Sequence, residues 1–287
     1  MPTLYNICHK VAKVETEPVG GFNRQSGDSK MDKQKALIKN LNTMARDKKR
    51  YRVFDDFIYL SAASLHNQGA WFDQQREDRY LSIIKTYDEE DRFLMAENLG
   101  LLVDLLQSYP HDALGEIYMN LELGDKEQGQ FFTPDSVSQL MANLQCPNIK
   151  DILKNKPFFS LLENACGAGG MVLATVKNVI EQGYNPAKTM WVQAIDIDRT
   201  AALMCYIQLS LWNVPAQVIV GNSLTLETNE IWFTPAYVMY GWAGKLERQR
   251  KDTAVQQQPV EQPATKIIDV DPVKYATDEV IQLAFSF

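Results

Sequence analysis

The chain is short of the residues that build metal centres and membrane anchors. Its four cysteines (Cys8, Cys146, Cys166, Cys205) are scattered and form no Cys-x-x-Cys pair, and its three histidines are scattered as well. That spacing does not assemble the ligand set of a zinc site, so no metal is expected. Scattered thiols fit a reduced, cytoplasmic setting. No apolar run approaches the roughly 20 residues that cross a bilayer, so no membrane span is expected. Met1-Pro2-Thr3-Leu4-Tyr5 lacks the basic-then-apolar layout of a secretory signal. No internal repeat is present. The formal charge of −7 argues mildly against broad, nonspecific nucleic-acid binding.

What is present is an ordinary globular composition, 45% apolar and 23% charged, over 287 residues, enough for one or two domains. Residues 1–30 contain the breakers Gly20-Gly21 and Ser26-Gly27-Asp28-Ser29 and read as a flexible N-terminus. No proline interrupts residues 31–109, and Phe54, Phe57, Ile58, then Leu94, Leu99, Leu102 and Leu106, recur at helical spacing. A helical domain over 31–125 is therefore expected. Between Lys30 and Arg52, nine Lys or Arg stand against two acids. A face carrying Arg46, Lys49 and Arg50 could meet DNA phosphates or could be a solvated helix surface. Residues 126–250 alternate helix and strand patterns. Helices are expected at 134–144, 169–182 and 199–213, and strands near 158–163, 190–196, 217–221 and 230–240. Residues 251–287 read as a Gln/Pro-rich linker and a short apolar docking tail, Val280 to Phe287.

Chemistry concentrates at Glu163-Asn164-Ala165-Cys166-Gly167-Ala168-Gly169-Gly170, between an apolar strand pattern and a helix pattern. Glycines in such a turn let a ligand approach the backbone, and the following helix start offers unpaired amides. Downstream, Trp191 to Asp196 reads as a second buried strand ending in acid, and an acid there is placed to accept hydrogen bonds from ribose hydroxyls. Asp198 reads as the cap of the next helix. Upstream, Thr133-Pro134 within Gly129-Gln130-Phe131-Phe132-Thr133-Pro134 reads as a helix start, with threonine capping and proline at the first helical position. Asn222 ends the third strand.

Asp112-Ala113-Leu114-Gly115-Glu116-Ile117-Tyr118, then Gly-Gln-Phe-Phe-Thr-Pro, then Ala-Cys-Gly-Ala-Gly-Gly, resembles the N6-adenine DNA methyltransferases, in particular the modification subunits of type I restriction systems. The resemblance covers about residues 110–225. It implies an α/β, Rossmann-like methyltransferase fold preceded by a helical N-terminal domain, S-adenosylmethionine as cofactor, and DNA as substrate. It implies cofactor roles for Phe132 and Thr133 beside the adenosyl or methionine part, and for Glu163 at the methionine ammonium. It places Ala165, Gly167 and Gly169 in the turn, Asp196 at the ribose and Asn222 at the adenine amine. Glu163-Asn164 stands where the family usually has Asp-Pro.

The family's catalytic Asn-Pro-Pro-Tyr is absent from this sequence. The nearest candidate is Thr234-Pro235-Ala236-Tyr237, in which Tyr237 would stack on a flipped adenine and Thr234 would supply one acceptor beside Pro235. Only 65 residues follow Asn222, so a shortened catalytic half is expected. Three readings stay open: an adenine-N6 DNA methyltransferase with a variant motif, completed or not by a partner subunit; a catalytically inactive member that binds cofactor or DNA as a regulatory or structural subunit; and a methyltransferase acting on another substrate, such as RNA or protein. The tail Gln282-Leu283-Ala284-Phe285-Ser286-Phe287 loosely resembles peptides that bind bacterial sliding clamps. A clamp, another partner, docking on its own sheet, or a disordered end are the alternatives there.

Overall fold

A computed structural model describes residues 27–46, 48–68, 72–121, 132–256 and 280–283. Residues 1–26, expected above to be flexible, Gly129 to Phe131, most of the stretch expected as a linker and the last four residues lie outside the described residues.

Five helices open the described chain: α1 (Gly27–Met44), α2 (Arg50–Gln68), α3 (Gln74–Ile84), α4 (Glu89–Leu106) and α5 (Ala113–Asn120). Their starts are chemically marked. Asp73, Asp88 and Asp112 each accept a hydrogen bond from the backbone amide three residues on, which satisfies a donor the helix cannot use itself. Leu37, Leu41 and Met44 of α1, Phe54, Phe57 and Ile58 of α2, and Leu99, Leu102 and Leu106 of α4 are buried, as the helical spacing requires. These side chains join the same hydrophobic core as the α/β region, because α2 packs on a helix of that region.

Four of the nine basic residues of this stretch form ion pairs within this layer. Lys30 pairs with Glu116, Lys33 with Asp104, Arg46 with Asp88 and Asp91, and Arg52 with Asp56. Lys48 lies 3.5 Å from the Tyr87 ring centre, and Arg50 donates to the Leu121 carbonyl. Arg46, Lys49 and Arg50 nevertheless stand exposed on one surface, so both a phosphate-contact role and a solvated face remain readings of it.

Then follow α6 (Asp135–Gln145), α7 (Ile149–Ile152), β1 (Phe159–Glu163), α8 (Gly170–Glu181), α9 (Pro186–Thr189), β2 (Met190–Asp196), α10 (Arg199–Leu211), β3 (Ala216–Asn222), β4 (Glu227–Phe233), α11 (Pro235–Met239), α12 (Trp242–Gln256) and β5 (Val280–Leu283). The sheet order is β4-β3-β2-β1-β5. β1, β2, β3 and β5 are mutually parallel, and β4 runs antiparallel to β3. The central strands are nearly continuous apolar runs because helices cover both faces of a parallel sheet. The α/β class, with its helical layer ahead of the sheet, agrees with the sequence reading.

Two local expectations need correction. Helix α6 begins at Asp135, not after a threonine cap: Pro134 is the cap residue, in extended conformation and without a side-chain bond, and Thr133 is exposed. The strand expected at 230–240 spans 227–233 and gives way to a helix, because Pro235 occupies the first helical turn of α11. The β3–β4 pairing needs a bare backbone at Gly221, where a Cβ would run into the Glu227 carbonyl. Finally, Val280–Leu283 of the tail pairs along β1, from Ser160 to Glu163, so this part of it docks on its own sheet. Among the described residues no helix is long and apolar enough to cross a membrane, and no group of three or more His, Cys, Asp or Glu could hold a metal.

Candidate functional site

Because β1, β2 and β3 are parallel, their last residues share one end of the sheet. Glu163 lies opposite Ala194, and Asp196 lies opposite Val220, two residues before Asn222. The glycine turn leaves β1 at this end and is pinned by three bonds donated by its backbone amides. The Cys166 amide donates to the Ile195 carbonyl (2.8 Å), the Gly169 amide to the Cys166 carbonyl (2.8 Å), and the Gly167 amide to Asp196 Oδ2 (2.7 Å).

The turn requires glycine at two places. Gly167 (φ 52°) and Gly169 (φ 96°) adopt left-handed conformations that L side chains avoid. A Cβ at Gly167 would come within 3.1 Å of the Phe132 ring, and one at Gly169 within 2.9 Å of Cys205 Sγ. Phe132 therefore lies against the turn, and Tyr118 meets its ring edge-on at 5.4 Å.

Glu163 is the most unusual group. It is only 3% exposed, and its Oε1 accepts a hydrogen bond from the Ala165 amide (3.2 Å). Its Oε2 is buried without a partner. Burial pushes its carboxyl up to about 7; the Asp196 charge adds to this, and the amides of Ala165 and Asn164 oppose it. Burial also raises Asp196, against the hydrogen bonds it accepts from Asp198 and Gly167. Two acids that resist ionisation at one sheet end are a place that gains from a cation. Asp198 caps α10 through the Ala201 amide (3.0 Å), as expected. Asn222 Oδ1 accepts from the amides of Leu224 (2.9 Å) and Thr225 (3.2 Å), so its carbonyl shapes the following turn.

Two residues at this end escaped the sequence reading. Ile197, 70% exposed, follows Asp196, and Leu224, 92% exposed, follows Asn222. The usable signal was position: an apolar residue just past a strand's acidic or amide end.

The candidate catalytic set lies elsewhere. β4 is antiparallel, and Phe233 at its end pairs with Gln217 near the start of β3. Thr234, Pro235 and Tyr237 are therefore at the amino end of the parallel strands. The seven residues of β3 put roughly 20 Å between them and the glycine turn. Thr234 is fully buried; its hydroxyl donates to the Val214 carbonyl (2.7 Å) and accepts from the Ala216 amide (2.9 Å). Pro235 begins α11. Tyr237 stacks on Phe233 at 4.5 Å and lies 5.3 Å from Trp191, in a cluster with Phe158 and Trp242. The three residues expected as a catalytic motif thus stand at the opposite end of the sheet from the glycine turn, because the chain reverses through β4.

Residues 110–258 match the family model described as N-6 DNA Methylase. No curated protein matches the chain. Among solved structures, the chain is similar to a protein from Listeria monocytogenes assigned as a class I S-adenosylmethionine-dependent methyltransferase, with 13% identity, a TM-score of 0.38, and coverage of 67% of this chain and 52% of that one. It is also similar to a type I restriction-modification system methyltransferase subunit from Streptococcus thermophilus, with 15% identity, a TM-score of 0.34, and coverage of 65% and 56%. The matched region spans little more than half the length of either structure.

Proposed function

The chain belongs to the N-6 DNA methylase family, and on that premise we propose that it is a DNA methyltransferase-like protein that binds S-adenosylmethionine at the carboxyl end of β1, β2 and β3. The carrying observation is Glu163 Oε2, buried and without a partner. An orphaned carboxylate oxygen is costly unless a cation meets it, and the methionine ammonium is such a cation. Ala165, Gly167 and Gly169 allow close approach of the ligand to the backbone. Asp196 has lone pairs left after accepting from two amides and would take the ribose hydroxyls. Asn222 would take the adenine amine, with Ile197 and Leu224 offering apolar surface to the ring. Phe132 and Thr133 would border the ligand from the α6 side.

When bound, S-adenosylmethionine supplies an electrophilic methyl group on a sulfonium. The chain's own residues bind and orient it, and the paired acids favour its positive charge. Calorimetric titration with the cofactor and with its demethylated product tests this. Heat and a thermal shift are expected with both, and neither effect with either compound would sink the reading.

Whether the chain transfers the methyl group to adenine N6 is a separate matter. The location of Thr234, Pro235 and Tyr237 favours the second reading, a cofactor-binding subunit that transfers slowly or not at all by itself. Transfer needs acceptors at the amine, where positive charge develops; losing one such group costs on the order of 2.7–4 kcal/mol. Tritium transfer from labelled cofactor to adenine-rich DNA separates the cases. Turnover by the purified chain would overturn the inactive reading, and turnover only with a co-purified subunit would support completion by a partner.

A further inference from the structure

We infer that Gln208 is a positioning residue for the glycine turn, and that with Asp112 it forms the joint by which helix α5 sets the turn's conformation. The inference rests on reading that turn as the cofactor site.

Gln208 is fully buried in the middle of α10. Its carboxamide makes three bonds to two separate parts of the molecule. Oε1 accepts from the Leu114 amide at the start of α5 (3.1 Å). Nε2 donates to Asp112 Oδ1 (2.9 Å) and to the Ala168 carbonyl in the turn (2.8 Å). Asp112 Oδ1 also accepts from the Gly115 amide (2.8 Å), so the same oxygen that caps α5 receives Gln208. On its other side Asp112 approaches the turn: a Cβ on Gly170 would lie 3.5 Å from Oδ2 and 3.7 Å from Ser138 Oγ.

A carboxamide suits this place because it alone offers an acceptor to one backbone and donors to two oxygens. The Ala168 carbonyl is turned inward onto it, between the left-handed Gly167 and Gly169, and adds an anchor on α10 to the bonds that pin the turn to β2. Cys205, one turn earlier on α10, supports Gly169 from below. The resemblance motif at 112–118 thereby acquires physical meaning. Asp112 caps and links, Gly115 leaves room for that carboxylate, and Tyr118 holds Phe132 against Gly167.

The test uses the full chain and two substitutions, Gln208→Met and Gln208→Glu. Methionine keeps the volume and removes all three bonds. Hydrogen exchange at amides 167–172 should accelerate at least tenfold in Gln208→Met, more than elsewhere in α8 and α10, and S-adenosylhomocysteine should bind roughly tenfold more weakly. Gln208→Glu places a second carboxyl among acceptors, facing Asp112 and the Ala168 carbonyl, with Glu116 and Asp135 as the nearby charges. Only its protonated form can donate there, so its affinity deficit against wild type at the same pH should shrink from pH 8 to pH 5.5. A purely structural defect would not follow pH in that way. Unchanged exchange at 167–172, or S-adenosylhomocysteine binding within twofold of wild type in folded Gln208→Met, overturns the joint. A deficit in Gln208→Glu that ignores pH does so too. Wild type giving no binding heat would sink the cofactor reading, while the exchange measurement would still decide the role of Gln208.

Discussion

The two ends of the parallel sheet make opposite use of similar residues. At the carboxyl end, Glu163 keeps an unpartnered oxygen, two glycines hold left-handed conformations, and Ile197 and Leu224 stand exposed. At the amino end, Thr234 has both its donor and its acceptor role filled, and Phe158, Trp191, Tyr237 and Trp242 pack face and edge. The Trp242 indole N–H is satisfied as well, by the Ala187 carbonyl. One end leaves a buried carboxylate oxygen without a partner; the other closes the bottom of the sheet. A polar residue beside an aromatic one is therefore no mark of a site until its hydrogen bonds have been counted.

Substitutions at each end should separate stability from binding. The largest effect is expected at Thr234→Val, which orphans the Ala216 amide and the Val214 carbonyl and should cost about 2–4 kcal/mol of stability. Urea unfolding measures this, and cofactor affinity of the folded fraction should not change. A large loss of affinity there would merge the two ends again.

The pH dependence of Glu163 comes next. Its folded value, about 7, lies above the ordinary 4.5. The folded state therefore holds a proton that the unfolded state has lost, and this group's contribution falls as pH rises from about 4.5 to 7. Its magnitude is about 3 kcal/mol at most. Asp112, raised to about 6 by burial, adds in the same direction. Glu163→Gln should flatten the unfolding profile in that window. A bound ammonium reverses the preference, so cofactor affinity of the wild type should rise with pH up to about 7 and level off. Affinity indifferent to pH would remove Glu163 from the ligand.

Asp196→Ala should weaken cofactor binding by about 1.5–3 kcal/mol, the value of hydrogen bonds to a charged acceptor, and calorimetry reads it directly. The smallest effect is expected on the helical layer. Arg46 is half exposed and paired with Asp88 and Asp91, so Arg46→Gln should cost about 0.5 kcal/mol of stability. It should also leave the salt dependence of DNA binding nearly unchanged. A steep loss of DNA binding would restore the phosphate-contact role to that surface.

Elements with strong local signals were legible from sequence. Helical spacing marked α2 and α4, apolar runs marked β1 to β3, and Asp198 was readable as a cap because aspartate precedes a helical pattern. The glycine turn was legible because glycines, acids and strand ends recur there in order. Pairing direction was not. Nothing within 227–240 says that β4 runs antiparallel, since that depends on its fit against β3 and on the bare backbone at Gly221. Nor could spacing reveal that Lys30, Lys33, Arg46 and Arg52 face acids as distant as Glu116 and as near as Asp56.

The sequence by itself determined the elements, the family and the residues that end the parallel strands, because these follow from short-range patterns of burial and backbone freedom. Only the tertiary structure decided which of those residues meet. It sent Thr234 and Tyr237 to the far end of the sheet, and it brought Asp112 and Gln208, 96 positions apart, together behind the turn. Hydrogen-bond satisfaction is a property of neighbours in space, and the chain's order alone does not name them.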